Sequence, residues 1–180
     1  MSVEPDSTPH HRRSLRLKKY DYARSGAYFV TICSRNQECV FGDVSDGEMH
    51  LNEYGIVVRE EWLRTALLRD GVAMDAFVVM PNHLHGIIVI NGRGTARRAP
   101  TGERFGKPTV NSVPTIIRSF KSACAKRIND MRKAQGTPVW QRNYYEHVIR
   151  DEDDLNRIRQ YILDNPARWA EDENNPERMK

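Results

Sequence analysis

The stretch that most restricts this chain is residues 77–90, Phe-Val-Val-Met-Pro-Asn-His-Leu-His-Gly-Ile-Ile-Val-Ile. Two apolar runs rich in β-branched side chains flank a short polar break, which is the pattern of two strand segments rather than one helix. Residues two apart in a strand share a face, so His83 and His85 project side by side while Leu84 points the other way, into the core. Neutral imidazole is the commonest protein metal ligand, and a pair at this spacing is oriented by the strand itself. Two histidines also fall two apart by chance, so spacing alone leaves a purely structural role open.

The rest of the chain reads as alternating strands and helices around that stretch. Residues 27–34 form an unbroken β-branched and aromatic run, and residues 39–44 and 49–51 flank Ser45-Asp46-Gly47, a hairpin-turn signal. Asn52 caps a predicted helix running to about Leu68, with Val58, Trp62, Leu63, Ala66 and Leu67 as its apolar face and Gly71 closing it. A second helix starts at Ser112, whose hydroxyl is expected to cap it, with Pro114 in the first turn. Its buried face is Val113, Ile116, Ile117, Phe120, Cys124 and Ile128. Part of residues 137–149 reads as a strand. The acidic run Asp151-Glu152-Asp153-Asp154 suits the positive end of a last helix, which runs to Asn165 before Pro166 opens a short terminal helix through Trp169. This order predicts an α+β fold, an antiparallel β-sheet with helices packed on one side.

At 180 residues the chain fits one domain with a sizeable core. The expected organisation is a basic arm over residues 1–15, a domain over 16–170 interrupted by a flexible basic loop at 91–108, and a polar, frayed tail at 171–180. The formal net charge is +4, with the basic residues crowded into the arm and the loop. That distribution favours a polyanion partner, although solvated basic tails are common. Candidate nucleic-acid contacts are Arg12, Arg13, Arg16, Lys18 and Lys19, with Arg118 and Lys121 on the polar side of the second helix. Tyr20 and Tyr22 can stack on bases or dock the arm. The three cysteines, Cys33, Cys39 and Cys124, include no paired spacing, so neither a disulfide framework nor a structural zinc site is expected, and each is expected to pack as a small buried side chain. No apolar run is long enough to span a membrane and no hydrophobic signal core opens the chain, which points to the cytoplasm.

A third ligand and a reactive group come from the last predicted helix. Leu155, Ile158 and Ile162 form its core stripe, Tyr161 lies on one flank, and Asn165 falls four residues on, almost above the tyrosine. If that flank lies over the histidine strand, the Asn165 amide oxygen completes a three-ligand site with the Tyr161 hydroxyl beside the ion. Phosphodiester cleavage needs such a pair, a Lewis acid and a hydroxyl that attacks phosphorus. The spacing leaves open a buried structural Tyr161 and a helix-capping Asn165. Tyr144 and Tyr145, near His147, are competing nucleophiles with a ready base, but neither is followed by a helical ligand four residues on.

Three motifs extend this reading. Met80-Pro81-Asn82-His83-Leu84-His85, the run from Val139 to Arg150 and Tyr161-Ile162-Leu163-Asp164-Asn165-Pro166, together with Tyr20-Asp21-Tyr22 and Gly26-Ala27-Tyr28-Phe29-Val30-Thr31, resemble the single-tyrosine HUH transposase family across roughly residues 16–169. Asparagine at position 165, where insertion-sequence members commonly carry glutamine, is closer to the REP-associated tyrosine transposases. The resemblance implies a ferredoxin-like or RRM-like sheet. It implies a divalent ion, Mg²⁺ or Mn²⁺, held by His83, His85 and Asn165, and Tyr161 as the nucleophile that cuts single-stranded DNA and keeps a 5′-phosphotyrosine. The implied substrate is the imperfect hairpin of a repetitive extragenic palindrome, and the implied setting the nucleoid. Family members occur as monomers and as homodimers. A second class of function stays open, a protein that binds DNA hairpins on the same sheet without cutting them.

Overall fold

The computed structural model describes residues 24–91 and 111–178, so the arm carrying Arg12, Arg13, Arg16, Lys18 and Lys19, and nearly all of the basic loop, lie outside the described residues. The elements are β1 (Gly26–Cys33), β2 (Gly42–Ser45), β3 (Glu48–Leu51), α1 (Glu53–Leu67), β4 (Val72–Val79), β5 (His83–Ile90), α2 (Val113–Met131), β6 (Tyr145–Ile149) and α3 (Glu152–Asp164), followed by a 3-10 segment, Pro166–Glu171. A four-stranded sheet runs in the order β4-β5-β1-β6, with every neighbouring pair antiparallel. With the β2–β3 ribbon set aside, this is the βαββαβ order of a ferredoxin-like sheet. The ribbon turns at Asp46 and Gly47, both at positive φ (52° and 77°), the pair of left-handed residues that a tight hairpin requires.

Strand alternation divides the sheet into two chemically different faces. Tyr28, Val30 and Ile32 of β1 and Leu84, Ile88 and Ile90 of β5 join α1 and α2 in the large core, together with Phe41, Trp62, Phe120 and Trp140. Phe29, Ile87 and Ile149 point the other way and meet Ile158 and Ile162 of α3. The α+β class and antiparallel sheet agree with expectation. The one-sided placement holds for α1 and α2, whereas α3 crosses the opposite face, because its Leu155-Ile158-Ile162 stripe needs an apolar surface that the first face has already used.

The α1 apolar face also differs from expectation. Asn52 caps the helix, its side chain accepting from the Tyr54 and Gly55 backbone N–H groups at 3.0 Å. Gly55, Val57, Val58, Glu61, Trp62 and Thr65 are the buried positions, while Leu63 and Leu67 are exposed. Glu61 is tolerated inside because Arg127 of α2 donates to it at 2.8 Å, and a buried carboxylate with a charged partner escapes most of its desolvation cost. The Ser112 hydroxyl meets the Thr115 hydroxyl at 3.2 Å instead of capping the α2 backbone, and Pro114, with no N–H, reduces the need for a cap. Of the cysteines, Cys124 is buried as expected, Cys33 is half-buried and Cys39 is exposed.

Two contacts fix α3 over its face. The β4–β5 register shifts between Met74 and Phe77, and at that irregularity Asp75 receives two bonds from Arg159 of α3, at 2.8 and 2.6 Å. Beyond α3 the described residues, up to 178, do not fray. The 3-10 segment and the turns after it fold back, leaving Asp172 and Asn175 buried, because consecutive polar side chains there bond backbone groups of their own turns.

Gly86 sets how closely α1 approaches the histidine strand. A Cβ at this position would lie 2.4 Å from Trp62 Cζ2, far inside contact distance, with a fully buried indole unable to retreat. Gly86→Ala is predicted to lower unfolding free energy by about 2 kcal/mol through overpacking, measured by urea denaturation.

Candidate active site

His83 and His85 open β5 on the face covered by α3, with ring centroids 4.4 Å apart. Both are buried. Each imidazole is held through Nδ1. The Asn82 side-chain oxygen Oδ1 lies 2.8 Å from His83 Nδ1, and the Asn82 amide group is locked because its Nδ2 donates to the Gln37 and Asn174 backbone carbonyls at 2.9 and 2.7 Å. With Asn82 Oδ1 able only to accept, His83 carries its proton on Nδ1 and presents a bare lone pair on Nε2. The Thr31 hydroxyl, on β1 directly opposite His85, sits 2.8 Å from His85 Nδ1.

Burial keeps these rings neutral. His83 is pushed down to about 4 by burial, with nearby Asp172 opposing the shift. His85 is held well below the usual histidine range by burial and then by its neighbour His83. At neutral pH both lone pairs are therefore free of protons.

Tyr161 and Asn165 lie where the helix flank requires. The Tyr161 hydroxyl is 3.2 Å from His85 Nε2, and its ring packs edge-on against His85 and Phe29. Burial raises the phenol's pKa, and the Asp172 charge raises it further. Asn165 is buried, with Nδ2 donating to Asp172 Oδ2 at 3.0 Å, so its Oδ1 turns away from that bond. His83 Nε2 and Asn165 Oδ1 are both buried without a hydrogen-bond partner among the described residues. Two orphaned acceptors in one place is a costly arrangement for a resting core and an ordinary one for a cation site.

Asp172 is the residue that sequence reasoning missed. It lies seven residues past Asn165 in the segment expected to be a loose tail, yet its carboxylate is buried 4.0 Å from His83 Nε2. Ligand atoms of His83, His85 and Asp172 lie within 4.8 Å of one another. Because His83 is neutral, the contact is not an ion pair. An arrangement of two imidazole nitrogens, a carboxylate and an orphaned amide oxygen fits a divalent metal ion.

The other sequence candidates fall elsewhere. Tyr144 packs against the large core below the Lys121 ammonium, on the far side of the sheet from the histidines. Tyr145 is half exposed on β6, and His147 is engaged by Asp154 at 2.8 Å. Lys121 donates to the Gln141 and Asn143 carbonyls at 2.9 Å, and burial brings its pKa down to about 8. Arg118 is exposed on α2.

No family model matches the chain. An uncharacterised protein of Haemophilus influenzae is 39% identical over 178 residues, spanning 96% of this chain and 98% of that one. A provisionally named REP-associated tyrosine transposase of the same organism is 21% identical over 148 residues, covering 82% of this chain and 74% of its own length. The solved structure of a REP-associated tyrosine transposase bound to a REP hairpin superposes with a TM-score of 0.59 at 19% identity, covering 86% of this chain and 74% of that one, which extends the likeness to the fold. The chain therefore belongs to one family with the uncharacterised Haemophilus influenzae protein, and it shares the fold of a REP-associated tyrosine transposase.

Proposed function

We propose that this protein is a metal-dependent endonuclease and strand transferase of single-stranded DNA that acts at hairpins of repetitive extragenic palindromes through a phosphotyrosine. The observation that carries the reading is the Tyr161 hydroxyl 3.2 Å from His85 Nε2, at the edge of a buried cluster of acceptors with no proton to share. His83, His85, Asn165 and Asp172 would hold a divalent ion, which when bound supplies Lewis acidity to a scissile phosphate. In the chemical step the Tyr161 oxygen forms a bond to phosphorus and the bond to O3′ breaks. The phenolic proton is accounted for in the 3′ hydroxyl released, and the tyrosyl ester retains the bond energy for rejoining. Resting Tyr161 is protonated, since burial and the Asp172 charge both disfavour the phenolate. Neutralising Asp172 removes one of those influences.

In this reading the donors and the tyrosine act from one chain, in a monomer or a homodimer. The exposed Arg118 and the arm residues Arg12, Arg13, Arg16, Lys18 and Lys19 supply contacts to the DNA backbone in this reading, with the nucleoid as the cellular setting. No helix among the described residues is long and apolar enough to cross a membrane.

Tyr161→Phe removes the nucleophile but keeps the ring against Phe29 and His85. It is predicted to abolish covalent protein–DNA adducts on labelled hairpin DNA, as read on a denaturing gel, while hairpin affinity changes less than about twofold. Surviving adducts would remove Tyr161 as nucleophile. Tight hairpin binding by the wild type with no adduct under any metal would favour the non-cleaving alternative.

His83→Ala is predicted to weaken metal binding by at least roughly 10- to 100-fold and to depress cleavage in step, with calorimetric titration as the direct readout. In the same titration Mn²⁺ should bind at least as tightly as Mg²⁺, because imidazole donors suit the softer ion.

The depressed histidines also set a pH dependence. An ordinary histidine pair begins to lose metal to protons below about pH 6.5. Here His83 does not protonate until about pH 4, so metal affinity should stay level as the solution is acidified through that range and fall only near pH 4. Stability of the metal-free protein carries the complementary sign. The unfolded chain takes up the proton first, so the His83 contribution is present above about pH 6.5 and is lost as pH falls toward 4. Metal titrations and urea melts at stepped pH check both trends.

A further inference from the structure

Beside Tyr161 a cleft of about 610 Å³ opens between β1, β6 and α3. Its floor is Phe29 and Ile158, its inner wall the Tyr161 ring, and its outer wall Tyr145 on the edge strand β6. The volume is that of a small-molecule pocket, where known examples run roughly 300–1,000 Å³. Tyr145 is supported edgewise by Phe29, ring centroids 6.3 Å apart, yet 49% of its surface remains exposed. A large aromatic held in place and left open is a stacking platform, not a core side chain.

The charges around the cleft are not equivalent. Asp154 already receives His147 at 2.8 Å and also pairs with Arg157. Asp164 and Arg168, on either side of the metal-side Asn165, line the same cleft, Asp164 accepting from Gln160 at 2.7 Å and Arg168 making no ion pair among the described residues. The cleft thus joins an open π-face, a guanidinium with no ion pair among the described residues and the nucleophile.

We propose that this cleft receives one unpaired nucleotide flanking the scissile phosphate, its base stacked on Tyr145 and its phosphate met by Arg168. The inference rests on the nuclease reading of Tyr161 and adds a protein-borne base subsite to it. A base within a duplex has both faces covered by its neighbours, so the platform selects single-stranded DNA at the cut. Tyr145 is a binding residue in this scheme, and the tyrosine chemistry remains with Tyr161.

The test is an abasic scan. Hairpin oligonucleotides with single-stranded flanks, each carrying one abasic position, are titrated against wild type, Tyr145→Ala, Tyr145→Phe and Arg168→Gln in EDTA, and the same set is assayed for adducts with Mn²⁺. Tyr145→Ala should bind intact DNA about tenfold more weakly, and Tyr145→Phe, which keeps the ring, should restore the affinity. At one position the abasic DNA should bind wild type and Tyr145→Ala equally, since the base and the ring form one contact. Arg168→Gln should reduce the salt dependence of binding by about one phosphate. Tyr145→Leu, similar in apolar bulk but without a π-face, should behave as the alanine variant and guards against a folding defect. Normal adduct formation with equal responses of wild type and Tyr145→Ala at every abasic position would overturn the subsite and leave the nuclease reading standing. Position-specific coupling in binding without any adduct would sustain the subsite and overturn the nuclease reading. Absence of DNA binding would overturn both.

Discussion

A group of acceptors buried against one another is the constraint on which the functional half of this molecule depends. His83 Nε2 and Asn165 Oδ1 have no donor among the described residues, and the Asp172 carboxylate lies beside them. Leaving a buried polar group unsatisfied costs about 1–3 kcal/mol, so the metal-free fold holds this cluster together at the expense of its own stability. The large core on the opposite face supplies that stability. A positive ion at the cluster would return the energy, which couples metal binding to the ordering of the segment around Asp172.

The cluster stays in place because each member is held by something outside it. Asn82 fixes the tautomer of His83, and it is itself fixed by the carbonyls of Gln37 and Asn174, from segments far apart in the chain. The Asp75–Arg159 fork ties α3 to the irregular part of β4, and through α3 it sets the height of Tyr161 above His85. Asp172 is held in turn, one oxygen accepting from the backbone and side chain of Asn174 while the other faces Asn165. The cluster is preorganised by neighbours that lie outside it.

How much of this the sequence carried depends on the range of the interaction responsible. The histidine pair, the Asn52 cap, the Asp46-Gly47 turn and the six-residue buried face of α2 follow from spacing within one element, and each is found where spacing puts it. The pairing of Tyr161 and Asn165 was visible for the same reason, since i and i+4 share a helix flank. Asp172 was not, because it follows a proline and a 3-10 turn, and no periodicity carries its direction back to the histidines. The buried Glu61 was equally hidden, as its partner Arg127 lies on another helix. The face that α3 would choose could not be read from its own stripe, which records only that an apolar surface is needed. Tyr145, a competing nucleophile by its nearness to His147 in the sequence, stands half open on the edge strand, and its exposure depends on strand order rather than on local spacing.

The two faces of β5 bind fold and chemistry to a single register. Leu84, Gly86 and Ile88 turn toward α1 and α2, while His83, His85 and Ile87 turn toward α3. A slip of one residue would send both imidazoles into the large core and bring its apolar side chains under Tyr161. Gly86 guards against that outcome, since Trp62 lies where any Cβ at this position would go, and only a glycine accepts the indole there. Thr31 reinforces the register from the neighbouring strand, because it is paired with His85 in the ladder and bonds its imidazole across it. The packing that stabilises the core therefore also aims the histidines, and a change on the α1 face of β5 reaches Tyr161 without touching it.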